Sequence, residues 1–153
     1  MSARDALNKF YAKQTSTLKP KRKNKTPEAD FKKEAMAWLN TKGFSVHSIE
    51  SKAVWSRSAG RYLRGQTDSG VSDLIGVTPI FGIACFIELK APGKRSTLKL
   101  HQRQFLRGKI EKYAFAICTD SIDHLLTVFS KWAEMVTSGL HKDAQEFLIK
   151  DLP

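Results

Sequence analysis

Gly70-Val71-Ser72-Asp73-Leu74-Ile75-Gly76 and, after a turn-like gap, Ala84-Cys85-Phe86-Ile87-Glu88-Leu89-Lys90-Ala91 read as two strands with charge where strands ordinarily carry none. Side chains alternate faces along a strand, so Glu88 and Lys90 share one face while Ile87 and Leu89 share the other. Taking a charge out of water without a partner is costly, so two acids and an amine set among Leu74, Ile75, Phe86 and Ile87 need a reason. One reason is a structural Glu88–Lys90 ion pair. Another is a divalent cation held by oxygen ligands with a water beside it. Spacing alone leaves both open.

Outward from this pair the chain alternates helix and strand signals. Thr26-Pro27-Glu28 predicts a helix start, with Thr26 as N-cap, Pro27 in the first helical position and acids near the positive end. That helix is expected to run to about Lys42 and stop at Gly43. Phe44–Glu50 reads as a strand, and the Gly-rich, basic stretch 51–70 as a hairpin or irregular loop. Strands near Asp73–Val77 and Gly82–Ala91 come next, then a break at Pro92-Gly93. A helix over Leu98–Glu111, a buried strand over Tyr113–Cys118 and a helix over Ser121–Thr137 complete the pattern, and His141–Lys150 reads as one more short helix. This order predicts a mixed α/β domain around one sheet.

Composition narrows the class. The 153 residues are 41% hydrophobic and 27% charged, enough for a single packed core. The net charge of +11 is uneven: residues 1–26 hold eight Lys or Arg against Asp5 alone. A basic arm of this kind, with a short helix expected over Ala6–Lys13 and a linker containing Lys21, Arg22 and Lys23, points to a polyanionic partner. A membrane surface is disfavoured because no apolar helical face accompanies the basic run. The longest apolar run is too short to span a bilayer and no secretory signal is seen, so the expectation is an intracellular, cytoplasmic protein. Cys85 and Cys118 lie in apolar strand-like runs and are expected to be small buried hydrophobes rather than a disulfide or zinc site.

Helical geometry recruits further polar groups. Phe31, Ala35, Trp38 and Leu39 define the inward stripe of the first helix; Glu28 falls roughly 40° from its centre and Glu34 roughly 80° away on the other side. Glu28 is thus the acid expected to face the sheet, although a helix-start glutamate is also explained by the helix dipole alone. In the second helix Gln102 lies in the sector of Leu98, Phe105, Leu106 and Lys109, whereas Gln104 points outward. Gln102 is either an amide satisfied by a nearby loop or a group that orients a water or phosphate.

Taken in order, Gly70-Val71-Ser72-Asp73-Leu74-Ile75-Gly76, then Phe86-Ile87-Glu88-Leu89-Lys90-Ala91-Pro92-Gly93, then Leu100-His101-Gln102-Arg103-Gln104-Phe105-Leu106 resemble the PD-(D/E)XK nucleases, and within them the VRR-NUC domains. The resemblance covers about residues 27–130. It implies a restriction-endonuclease-like core, a central mixed sheet flanked by helices, in a nuclease domain over 27–137; the basic arm over 1–26 and the tail over 138–153, expected as a short helix, lie outside it. It implies metal binding by Asp73, Glu88 and the backbone carbonyl of Leu89, with Glu28 as a further candidate. It implies a catalytic role for Lys90 on the attacking water and the phosphate, with Gln102 beside it. Mg²⁺, replaceable by Mn²⁺, is the implied cofactor. Ser72 stands where the superfamily name has proline, and Lys109-Ile110-Glu111-Lys112-Tyr113 lacks the glycine pair often seen at that corner.

DNA is the expected partner, with branched or Holliday-junction DNA as the preferred class and a homodimer as the expected assembly. Arg57, Arg61 and Arg64 before Asp73, and Lys94, Arg95, Lys99, Arg103 and Arg107 after Lys90, are the expected phosphate contacts. A flap, nick or restriction-type nuclease on the same core, and a catalytically silent DNA-binding module, are the alternatives.

Overall fold

A computed structural model describes residues 26–49, 54–56, 58, 60–63 and 70–153. The short helix expected over Ala6–Lys13 and the arm cations Lys21, Arg22 and Lys23 lie outside these residues.

The first helix, α1 (Pro27–Thr41), starts as its sequence dictates: the Thr26 hydroxyl accepts the Ala29 amide at 3.3 Å and Pro27 takes a position whose missing N–H costs nothing. It ends at Gly43, whose φ of +83° carries the chain into the left-handed turn that glycine tolerates. Phe31, Ala35 and Leu39 are buried, and Trp38 is half-buried beside them.

Among the described residues six strands follow: β1 (Ser45–Ser48), β2 (Val54–Ser56), β3 (Arg61–Leu63), β4 (Leu74–Val77), β5 (Ala84–Leu89) and β6 (Phe115–Thr119). They make a four-stranded sheet in the order β1-β4-β5-β6 and a separate β2–β3 hairpin. In the larger sheet β1 pairs antiparallel with β4 and β4 with β5, whereas β5 pairs parallel with β6, so the sheet is mixed. The parallel step needs a crossover, and α2 (Leu100–Ile110) supplies it. α2 starts two residues later than its hydrophobic pattern predicts, because Arg95–Thr97 forms a separate 3₁₀ turn and Leu98 is extended. α3 (Ile122–Thr137) and α4 (His141–Asp151) complete an α/β domain whose sheet is flanked by helices.

One core holds these layers together. Leu74, Cys85, Ile87, Leu89, Phe115 and Ile117 from the sheet pack with the α1 stripe and with Leu125, Val128 and Trp132 of α3. The C-terminal segment belongs to the same core through Ala144, Leu148 and Leu152. Cys85 and Cys118 are free thiols in the interior, as their apolar surroundings predict.

The close β1–β4 approach depends on Gly76. A Cβ there would lie 1.9 Å from the Ser45 carbonyl oxygen and 2.7 Å from Val46 Cα. At the α2–β6 corner, where residues 109–113 contain no glycine, Tyr113 itself takes φ +64°. Among the described residues no helix is long and apolar enough to cross a membrane.

Candidate active site

The β4–β5 register sets the site. Leu74 pairs with Ile87, so Asp73, just before β4, comes level with the C-terminal end of β5. Its Oδ2 accepts the Leu89 backbone amide at 2.9 Å. A residue in a strand directs its N–H and C=O to the same edge, so the Leu89 carbonyl also faces the Asp73 side. Lys90 turns the other way and donates its amide to the Thr119 carbonyl of β6 at 2.9 Å.

Glu88, only 3% exposed, is the centre of a side-chain cluster. Its Oε1 accepts from the Lys90 ammonium at 2.7 Å and from the Gln102 amide at 2.5 Å. Gln102 Oε1 in turn accepts from Lys90 Nζ at 3.2 Å and from the Lys99 backbone amide at 3.1 Å. Gln102 therefore caps the start of α2 and bridges the acid and the amine at once. The reading of Gln102 as an amide satisfied by a nearby loop is met at the Lys99 amide.

The second helix is fixed over the strand by an edge-to-face contact between Phe105 and Phe86, with ring centroids 5.7 Å apart. Lys109 lies 4.9 Å from each ring centroid. The α2 stripe Gln102, Phe105, Lys109 thus runs along the β5 face of Glu88 and Phe86, which explains why a glutamine sits among apolar positions. Gly70 closes the other side: a Cβ there would lie 2.8 Å from the His101 ring, so the loop leading to Asp73 packs directly on the first turn of α2.

The electrostatics are those of a carboxylate out of water next to another. Burial pushes the Glu88 pKa up to about 7, the Asp73 charge adds to the rise, and the Lys90 hydrogen bond opposes it. Burial works against the Lys90 ammonium, but its hydrogen bond to Glu88 and the Glu88 charge outweigh this and hold its pKa above the ordinary lysine value. Glu28, exposed on the first turn of α1, adds a smaller like-charge contribution to Glu88 and makes no hydrogen bond in the cluster. One turn further along α1, Lys32 brings its ammonium to 3.9 Å from Asp73 Oδ1. The sequence analysis missed Lys32; its only signal is a position four residues after Glu28.

Each carboxylate therefore has one oxygen hydrogen-bonded to the protein and, among the described residues, one that accepts no hydrogen bond: Oδ1 of Asp73, which the Lys32 ammonium faces at 3.9 Å, and Oε2 of Glu88. These two oxygens and the Leu89 carbonyl are candidate donors of one chemical kind, and oxygen donors suit Mg²⁺ or Mn²⁺ rather than zinc. Among the described residues no three His, Cys, Asp or Glu side chains converge on a common point. Magnesium does not require that: it is commonly held by one or two carboxylates, with waters and substrate phosphates filling the rest of its shell.

The expected phosphate contacts divide. Lys94, Lys99 and Arg103 are exposed around the loop after Lys90 and the start of α2, with no ion-pair partner among the described residues. Arg107 is exposed and paired with Glu111 at 3.0 Å. Arg95 is turned inward: its guanidinium donates to the Cys118 carbonyl at 2.9 Å and meets the Asp151 carboxylate at 2.7 Å. It ties the loop after Lys90 to the end of α4 and is not presented to solvent as a free cation. Arg61 lies in β3, and Arg57 and Arg64 fall outside the described residues.

A cavity of about 840 Å³ lies at the other end of the sheet, lined by Ile83, Tyr113, Trp132, Val136 and Leu140 among others. It contains none of the clustered charges. No protein-family model, curated protein or solved structure matches the chain.

Proposed function

We propose that the protein is a divalent-metal-dependent DNA endonuclease with a restriction-endonuclease-like core, of the VRR-NUC type that its motifs resemble. The observation that carries this reading is the buried Glu88 carboxylate, with Lys90 and Gln102 gathered on one oxygen, Asp73 beside it and the other oxygen left over. A Glu88–Lys90 ion pair accounts for Lys90 but not for a second acid close enough to raise the Glu88 pKa; the Leu89 amide that Asp73 accepts needs only an acceptor, not a charge. A cation between the two acids removes that repulsion.

When bound, Mg²⁺ supplies Lewis-acid polarisation of a phosphoryl oxygen and a more acidic water. Asp73, Glu88 and the Leu89 backbone carbonyl are the groups that would hold it. Lys90, kept cationic by Glu88, places positive charge where negative charge develops as water attacks phosphorus and the P–O bond breaks. Gln102 fixes the Lys90 and Glu88 side chains relative to each other. Lys94, Lys99 and Arg103 offer phosphate contacts along the strand, and the basic arm of residues 1–26 adds sequence-independent affinity.

Branched DNA is the proposed substrate class, with a homodimer whose paired sites make the two cuts a four-way junction needs. The deciding experiment uses labelled single-stranded, duplex, flap and four-way DNA, each with Mg²⁺, Mn²⁺ or a chelator, and the Glu88→Ala variant alongside. Metal-dependent cutting that disappears in Glu88→Ala, strongest on four-way DNA, is the expected result. Preferential flap cutting shifts the substrate class. Cleavage that survives Glu88→Ala overturns the site assignment, and DNA binding without any cutting makes the protein a silent binding module.

A further inference from the structure

Lys32 occupies a position that packing does not demand. Its ammonium stands 3.9 Å from Asp73 Oδ1, with side-chain exposures of 24% for Lys32 and 27% for Asp73. That separation exceeds hydrogen-bond length, and partly exposed ion pairs contribute little to stability. The oxygen it faces is the informative part. Asp73 Oδ2 is already taken by the Leu89 amide, so Lys32 stands at the one Asp73 oxygen that the nuclease reading assigns to a metal ion.

An ammonium and a divalent cation cannot both crowd that oxygen without strong repulsion. Lys32 is also on a helix surface, at the end of a flexible four-carbon stem, and a lysine there relocates at little cost. Two destinations of suitable charge are at hand: Glu28, one turn back on α1, and the phosphodiester that the same site would hold.

We propose that Lys32 couples metal binding to DNA binding: it neutralises Asp73 in the metal-free protein, yields Oδ1 to the metal, and then pairs with a non-bridging phosphate oxygen of the bound strand. This rests on the nuclease reading and extends it with a phosphate ligand from α1. Its consequence is reciprocal. Metal releases Lys32 to the DNA, and DNA, by holding Lys32 away from Asp73, tightens metal binding by the same factor.

The test measures binding in the full-length chain. Mn²⁺ affinity is read from the spectroscopic signal of the free ion. Affinity for labelled duplex and four-way DNA is read with Mn²⁺ or with chelator, in a Lys90→Met background that keeps the DNA intact. Lys32→Met removes the competing charge, so DNA-free protein is expected to bind Mn²⁺ about three- to tenfold more tightly. The enhancement of DNA binding by Mn²⁺ shrinks by a similar factor, and Lys32→Arg restores it.

Unchanged Mn²⁺ affinity in Lys32→Met, or an equal loss of DNA affinity with and without Mn²⁺, overturns the proposal and leaves Lys32 an ordinary surface cation. Glu88→Ala separates the two levels. If it loses Mn²⁺ while Lys32→Met behaves as wild type, the coupling fails and the metal site stands. If wild type and Glu88→Ala bind Mn²⁺ alike, the metal site fails and the coupling with it.

Discussion

The Asp73 carboxylate accepts the Leu89 amide at 2.9 Å, so a side chain at the start of β4 does the hydrogen bonding that a strand partner would otherwise do at the end of β5. The two roles assigned to Asp73 can be separated because they use different oxygens. Asp73→Asn keeps an acceptor for the Leu89 N–H and is expected to fold within about 1 kcal/mol of wild type while losing metal-dependent cleavage. Asp73→Ala leaves that amide unsatisfied beside the fully buried Leu89 side chain and should cost about 1–3 kcal/mol in denaturant titrations as well. Equal stability of the two variants would show that the hydrogen bond carries no weight.

The raised pKa of Glu88 makes the stability of the metal-free protein pH-dependent. The group's folded pKa, about 7, lies above its ordinary value of 4.5, so the protonated form is the one that folding favours. Its contribution is fully present below pH 4.5 and is lost as pH rises through 7, a difference of about 3 kcal/mol by linkage. Glu88→Gln should therefore flatten the decline in unfolding free energy between those pH values, measured with chelator present. Lys90, held above its ordinary value, does not titrate in that window. At the proposed metal site Glu88 would have to be ionised to ligate, so Mg²⁺ affinity should climb up to about tenfold per pH unit below 7 and level off above it.

Tyr113 is the residue that turns the chain from α2 into β6, and it does so at φ +64° while 56% exposed. A side chain in the left-handed region costs about 1–2 kcal/mol that glycine does not incur. Tyr113→Gly is expected to raise the melting temperature by a few degrees and leave cleavage unchanged, because the corner is at the opposite end of the sheet from Glu88. A lower melting temperature would mean that the Tyr113 ring contributes packing that outweighs its backbone strain.

Much of this arrangement was legible because its periodicities are strict. Strand alternation places Glu88 and Lys90 together, and the helical angle picks Gln102 over Gln104. Asp73 follows from the Leu74–Ile75 strand signal. The features that escaped the sequence depend on distance along the chain. Arg95 belongs to a basic run and so looks like a phosphate contact, yet its partner Asp151 lies 56 positions away and has no local signature. Lys32 looks like a surface neighbour of Glu28 until the sheet brings Asp73 to it. The C-terminal helix shows its amphipathic pattern, but nothing local tells that Leu148 and Leu152 close the core.

Gly76 gives the sharpest packing prediction. Even an alanine methyl group would sit 1.9 Å from the Ser45 carbonyl oxygen, and that neighbour is backbone that cannot rotate aside. β1 must move away from β4 or the pairing must slip. Gly76→Ala is expected to destabilise the fold by about 3 kcal/mol or more, at or beyond the upper end of ordinary overpacking, as read by thermal unfolding. Wild-type stability would show that the two strands are held further apart in solution.

Arg95 and Arg103 lie close in sequence and are expected to fail differently. Arg95 donates through its backbone amide to Asp120 at 3.2 Å and through its guanidinium to the Cys118 carbonyl and to both the carboxylate and the backbone carbonyl of Asp151. Asp151 also meets His124 at 3.1 Å, so the network joins the loop after Lys90, the end of β6 and two helices. Arg95→Ala leaves the Asp151 carboxylate without its guanidinium and should cost about 2–4 kcal/mol of stability, with the loss in cleavage falling on kcat as the Lys90 loop loosens. Arg103, exposed and without an ion-pair partner among the described residues, should do the reverse. Arg103→Ala is expected to leave unfolding unchanged within about 0.5 kcal/mol, to weaken binding to all DNA structures alike, and to reduce the salt dependence of that binding by about one phosphate contact. A stability loss in Arg103→Ala, or a uniform DNA-binding defect with unchanged stability in Arg95→Ala, would exchange the roles given to the two arginines.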